Sequence, residues 1–66
     1  MIMKLTQKEL KILSLVALGK SNNEISKECN IALSTVQQYL RILMTKIPSE
    51  NRVQLTYAAL KQGIIE

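Results

Sequence analysis

Between Glu28 and Glu50 the chain carries no acidic residue, and within that stretch Ser34, Gln37, Gln38, Arg41 and Thr45 follow one another at helical spacing. On a helix with 3.6 residues per turn these side chains share one face, rich in hydrogen-bonding groups and holding a single fixed cation. Such a face suits the edges of nucleic-acid bases. A glutamine carboxamide can bond adenine at two points, and an arginine guanidinium can do the same with guanine. Carboxylates must be missing from such a surface, because a duplex presents a dense line of phosphates. The chemistry indicated is recognition.

Catalysis has no support. The sequence has no histidine, and its single cysteine, Cys29, has no second thiol to pair with. No phosphate-cradling glycine loop and no pair of carboxylates set up for acid–base work can be found, so no enzyme activity, metal or cofactor is expected. Cys29 falls where a helix needs an apolar core residue, which makes it packing material.

The elements around this face can be read in order. Thr6 and Glu9 have capping-box spacing and start a first helix, in which Leu10, Leu13, Val16 and Ala17 form an apolar stripe widened by Ile12 and Leu15. Gly19 ends it, after a short lead-in over Met1–Leu5. Ser21 and Glu24 make a second capping box only two residues later, so the chain turns sharply into a helix of about two turns, with Ile25 and Cys29 inward. Asn30, Ile31 and Ala32 form a tight connection. A longer helix then runs from about Leu33 to Ile47, with Val36, Leu40, Leu43 and Ile47 as one buried seam. Pro48 stops it, Ser49 or Asn51 caps a fourth helix with Leu55 and Ala59 inward, and Gly63 closes that helix before Ile64 and Ile65 tuck back. The expected fold is all-α: a single compact four-helix domain, residues 1–66, with a central helix-turn-helix.

Composition agrees with a small binding module. The chain has 66 residues, a formal charge of +4 from nine Lys and Arg against five acids, and 47% hydrophobic residues. With no Phe, no Trp and two Tyr, one small core must be built from aliphatic side chains, and a partner subunit would help its stability. There is no run of about 18 apolar residues and no signal peptide. A soluble, cytoplasmic protein is expected.

A short capped helix, a three-residue connection and a longer helix with a donor-rich face are the parts of a helix-turn-helix, in which the first helix braces the second for the major groove. The pattern also resembles a known family. L-T-x-x-E, a helix ending in G, S-N-x-E-I, T-V, then a lysine, an arginine and a last helix ending in G is similar to the LuxR-type (GerE-type) domain of quorum-sensing regulators and of NarL/FixJ response regulators. Leu5, Thr6, Glu9, Gly19, Ser21, Asn22, Glu24, Ile25, Thr35, Val36, Lys46, Arg52, Ala59 and Gly63 carry the resemblance, which covers nearly the whole chain without a gap.

The resemblance implies a transcription regulator that binds double-stranded DNA. It implies base contacts from Gln37, Gln38 and Arg41, backbone contacts from Asn22, Thr35 and Lys46, and a structural pairing of Glu9 with Arg52. It also implies pairing of two copies through the last helix, where Val53, Tyr57 and Leu60 lie along one stripe. Core lining is the other reading of that stripe. Such a homodimer would present two recognition helices to successive major grooves and require a roughly palindromic operator.

The sequence departs from the family's pattern in places. Gln37 and Tyr39 stand where a lysine and a histidine are usual, Ala32 where a serine caps the recognition helix, and Ser26 where a small alanine is usual. One cation is therefore missing from the contact face, and weaker non-specific affinity than that of a lysine-rich relative follows. Leu33 adds an apolar group at the start of the recognition helix, either to touch a thymine methyl or to staple the helix. No receiver or ligand-binding segment of the kind usual ahead of such a domain is expected within these 66 residues. It reads either as a complete small regulator or as an excised effector domain. A module that pairs with a full-length regulator and inhibits it is the alternative function.

Overall fold

The computed structural model describes residues 4–65. The first three residues of the Met1–Leu5 lead-in lie outside it. Four helices make up the fold: α1 (Gln7–Ala17), α2 (Asn22–Cys29), α3 (Leu33–Lys46) and α4 (Arg52–Lys61). No strand occurs among the described residues, in agreement with the all-α expectation.

Local chemistry sets each boundary. The Thr6 hydroxyl accepts the Glu9 amide at 3.1 Å while the Glu9 carboxylate accepts the Thr6 amide at 2.8 Å, and Ser21 with Glu24 repeats the arrangement with the same two distances. Both boxes satisfy amides that the first helical turn leaves unpaired. The ends of α1 and α4 share another device. Gly19 and Gly63 sit at φ +85° and +73°, a left-handed conformation that costs glycine little, and the amides that follow turn back onto Leu15 and Ala59. Asn30 does the same for α2 at φ 56°, returning Ile31 onto the Ser26 carbonyl.

α3 ends differently. Ile47, which precedes Pro48, is pushed to extended angles, and the Ser49 hydroxyl donates to the Ile47 carbonyl at 2.7 Å. Asn51 caps α4 by accepting the Gln54 amide at 2.9 Å, which settles the choice between it and Ser49.

The core is wholly aliphatic. Ile12, Leu13, Leu15 and Val16 of α1 meet Ile25 of α2, Val36, Leu40 and Leu43 of α3, Ile47, and Leu55 and Ala59 of α4. Tyr39, Cys29, Ile31, Ile64 and Ile65 are partly buried around it. The α1 stripe is centred differently from the one read in sequence: Ile12 and Leu15 are buried, whereas Leu10 and Ala17 are half-buried. α1 packs against all three other helices, so its buried arc is broad, and Leu10 and Ala17 fall on its margin beside an open groove.

α3 also packs against α1, α2 and α4, while the backbones of α2 and α4 do not meet. The rod bearing the polar face is thus held along its inner side by the whole domain.

Candidate nucleic-acid interface

Burying Val36, Leu40, Leu43 and Ile47 fixes the rotation of α3 about its axis. Residues four, three and four apart lie in one stripe, so the residues on the opposite side of the helix must face out. Ser34, Gln37, Gln38, Arg41 and Thr45 are all exposed. The one salt bridge among the described residues involves Lys46, which leaves Arg41 free of any carboxylate there. The nearest acids in sequence, Glu28 and Glu50, lie outside α3, so its outer face keeps a single uncompensated cation beside two carboxamides.

The brace for α3 is built locally. The Ser26 hydroxyl donates to the Ile31 carbonyl, tying α2 to the connection, and Ile31 packs on the core. A serine in place of the usual alanine therefore gains a partner inside the turn. At the start of α3 the cap is Ala32, which offers no side-chain acceptor, so the Leu33 and Ser34 amides remain open to another acceptor while the Thr35 amide donates to the Ala32 carbonyl.

The residues expected to meet a phosphate backbone belong to α2 and α3. Thr35 is half-buried on the first turn of α3. Asn22 opens α2 and is half-buried, and its carboxamide oxygen accepts Nη1 of Arg52 at 2.9 Å. Nη2 of the same guanidinium donates to the Lys20 carbonyl at 3.0 Å. Lys46, the last residue of α3, has its ammonium between Glu9 Oε1 and Oε2 at 2.9 and 3.0 Å and reaches the Lys4 carbonyl at 3.4 Å. The Lys46 and Glu9 side chains keep only 18% and 7% of their surfaces exposed.

This corrects one expectation. Glu9 pairs with Lys46, and Arg52 pairs with Asn22. Glu9 lies in the first turn of α1, beside the end of α3, whereas Arg52 starts α4 beside the start of α2. Spacing along the chain could not show this, because Glu9 and Lys46 are 37 residues apart. The Lys46 hydrogen bond, and after it the bond from the Thr6 amide, hold the Glu9 carboxyl below the usual carboxylate range.

The stripe on α4 is open. Val53, Tyr57 and Leu60 are 75%, 64% and 48% exposed, so they do not line the core. They form one wall of a shallow groove with Val16 and Ala17 of α1 opposite, and the Lys61 ammonium sits 5.7 Å from the centre of the Tyr57 ring. One exposed apolar residue of α3 has no counterpart in the reading from spacing. Ile42, two positions beyond Leu40 and four beyond Gln38, falls off the buried seam, and the structure leaves it 41% exposed.

A short helix fixed at its start, a left-handed asparagine turn and a longer helix with a free polar face define a helix-turn-helix domain. Its family follows from comparison with known proteins. Residues 3–59 match the family described as bacterial regulatory proteins, luxR family, and the chain belongs to this family of DNA-binding transcription regulators.

The chain is 39% identical over 62 residues to the HTH-type transcriptional activator RamA of Corynebacterium glutamicum, covering 94% of this chain and 22% of RamA. The response regulator ChrA of a heme-sensing two-component system superposes with a TM-score of 0.91 at 28% identity, over 96% of this chain and 31% of ChrA. Vibrio cholerae VqmA superposes with a TM-score of 0.88 in two structures. One is the dimer in the absence of target DNA, at 33% identity over 91% of this chain and 27% of VqmA; the other is a ligand–DNA complex, at 32% identity over 96% and 28%. The chain spans less than a third of the length of each of these proteins. No helix among the described residues is long and apolar enough to cross a membrane.

Proposed function

We propose that this chain binds duplex DNA in a sequence-dependent way by inserting α3 into the major groove, and so serves transcription regulation. Gln37, Gln38 and Arg41 bond base edges, and Asn22, Thr35 and Lys46 hold the phosphate backbone. Two copies pair through Val53, Tyr57 and Leu60 of α4 on an approximately palindromic site. The observation that carries the reading is the outer face of α3, exposed and free of carboxylates on a helix whose opposite side is fully buried.

Physical argument supports the roles. Carboxamides and a guanidinium match the donor and acceptor pattern that distinguishes base pairs in the major groove, and half-buried hydroxyl, amide and ammonium groups set register on phosphates. For Lys46 a phosphate contact means sharing an ammonium already held by Glu9, so its contribution is smaller than that of a free lysine. The VqmA–ligand–DNA complex is a precedent for DNA binding, and the VqmA dimer for pairing.

Selection of bound duplexes from a random library, followed by affinity against salt, tests this. Enrichment of one palindromic sequence, with log affinity falling by about 0.9 per phosphate contact for each decade of salt, is the expected result. Failure to bind any duplex at low salt, together with stable pairing to a full-length relative, would instead favour the inhibitory module.

A further inference from the structure

Six large apolar side chains are exposed among the described residues, and they divide into two groups. Leu18, Val53, Tyr57 and Leu60 line two adjoining grooves between α1 and α4. Leu33 and Ile42 belong to neither groove and stand on α3, 40% and 41% exposed. Stapling does not account for Leu33. The staple joins the residue before the helix cap to the fourth helical residue, and here those positions are Ile31, partly buried against the core, and Val36, fully buried within it. Leu33, the first residue of α3, takes no part in that contact and keeps 40% of its surface exposed. Ile42 is equally unplaced by packing, since the seam takes Leu40 and Leu43 on either side of it.

Both residues adjoin the base-reading set. Leu33 is four residues before Gln37 and Ile42 four after Gln38, so each is a neighbour of a glutamine along the helix surface. They flank the polar stripe, one at its start and one near its far end. In the major groove only one base feature is apolar: the 5-methyl group of thymine.

We infer that Leu33 and Ile42 are specificity-determining residues that read thymine methyl groups at two separate base pairs on either side of the bases read by Gln37, Gln38 and Arg41. The inference rests on the proposed entry of α3 into the major groove. It adds a readout that glutamine and arginine cannot supply, because thymine presents a single acceptor there and is otherwise marked by its methyl.

The test replaces thymine by deoxyuridine, one position at a time, in a duplex selected by the wild-type chain. This removes a methyl and no hydrogen-bonding group. Wild type should lose roughly three- to fivefold in affinity at two or more positions, as removal of one buried methyl requires. Leu33→Ser should abolish the loss at one of them and Ile42→Thr at another, with circular dichroism confirming that each variant is folded at the assay temperature. Sequence-specific binding that tolerates deoxyuridine everywhere overturns the methyl readout and leaves the proposed function standing. Deoxyuridine sensitivity that both variants retain overturns the assignment to these residues. A chain that enriches no duplex overturns both readings together.

Discussion

The Lys46 ammonium lies 2.9 and 3.0 Å from the two carboxylate oxygens of Glu9, joining the last residue of α3 to the first turn of α1. The same Oε1 atom accepts the Thr6 amide, so one carboxylate both caps α1 and anchors the end of α3. A group used twice in this way fixes the angle at which α3 leaves the body. Glu9→Gln should therefore destabilise the domain by about 1.5–3 kcal/mol, the range for hydrogen bonds to charged groups, as measured by urea denaturation at neutral pH. A loss below about 0.5 kcal/mol would show that the pair adds no more than an exposed one.

The same carboxylate predicts the acid response. Its pKa is lowered in the folded state, so its stabilisation is fully present above the ordinary carboxylate range and is lost as pH falls through the lowered value. Thermal melting of the wild type should weaken from about pH 5 downward, and Glu9→Gln should flatten that slope. Parallel slopes for the two proteins would place the acid sensitivity elsewhere.

Asn22 separates structural from contact roles. Asn22→Asp keeps an oxygen for Arg52, adds an ion pair and puts a negative charge at the start of α2, where the helix dipole favours it. Stability should stay within about 0.5 kcal/mol or rise. If Asn22 faces phosphate, affinity for cognate and random duplexes should fall together. Unchanged affinity would restrict Asn22 to the Arg52 contact.

Pairing through α4 makes a prediction about stoichiometry. Val53→Glu and Leu60→Glu change exposed side chains, so each should leave melting nearly unaltered. On a palindromic duplex, sedimentation velocity should show two wild-type protomers bound and one protomer of the double variant. Two protomers bound for both proteins would move the interface away from α4.

Much of this architecture is legible in the sequence because it is local. Capping boxes at Thr6–Glu9 and Ser21–Glu24, the Val36–Leu40–Leu43–Ile47 seam and the stop at Pro48 each depend on residues within a few turns of one another. The outward placement of Gln37, Gln38 and Arg41 follows from that seam by helical geometry alone. What spacing does not carry is which distant side chains meet. Glu9 reaches Lys46 rather than Arg52 because of how α1 crosses α3, and the half-burial of Leu10 and Ala17 reflects how much of α1 its neighbours cover. Spacing leaves Leu33 between a thymine contact and a staple, and only the packing of Ile31 and Val36 shows that the staple is made without it.

Arg41 separates reading from holding. Arg41→Ala should cost roughly 1–3 kcal/mol on the selected duplex and relax one operator position, whereas Lys46→Ala should weaken all sequences alike and reduce the salt slope by less than about one, because Glu9 already holds its ammonium. Equal losses on selected and random DNA for Arg41→Ala would reduce Arg41 to a phosphate contact.

The entry of α3 into the major groove is tested most directly by replacing each guanine of the selected duplex with 7-deazaguanine. This deletes the N7 acceptor from the major-groove edge and leaves the minor-groove edge intact. Wild type should lose at least about fivefold in affinity at the guanine facing Arg41, and Arg41→Ala should show no further loss there. Full wild-type affinity for every substituted duplex would contradict the account.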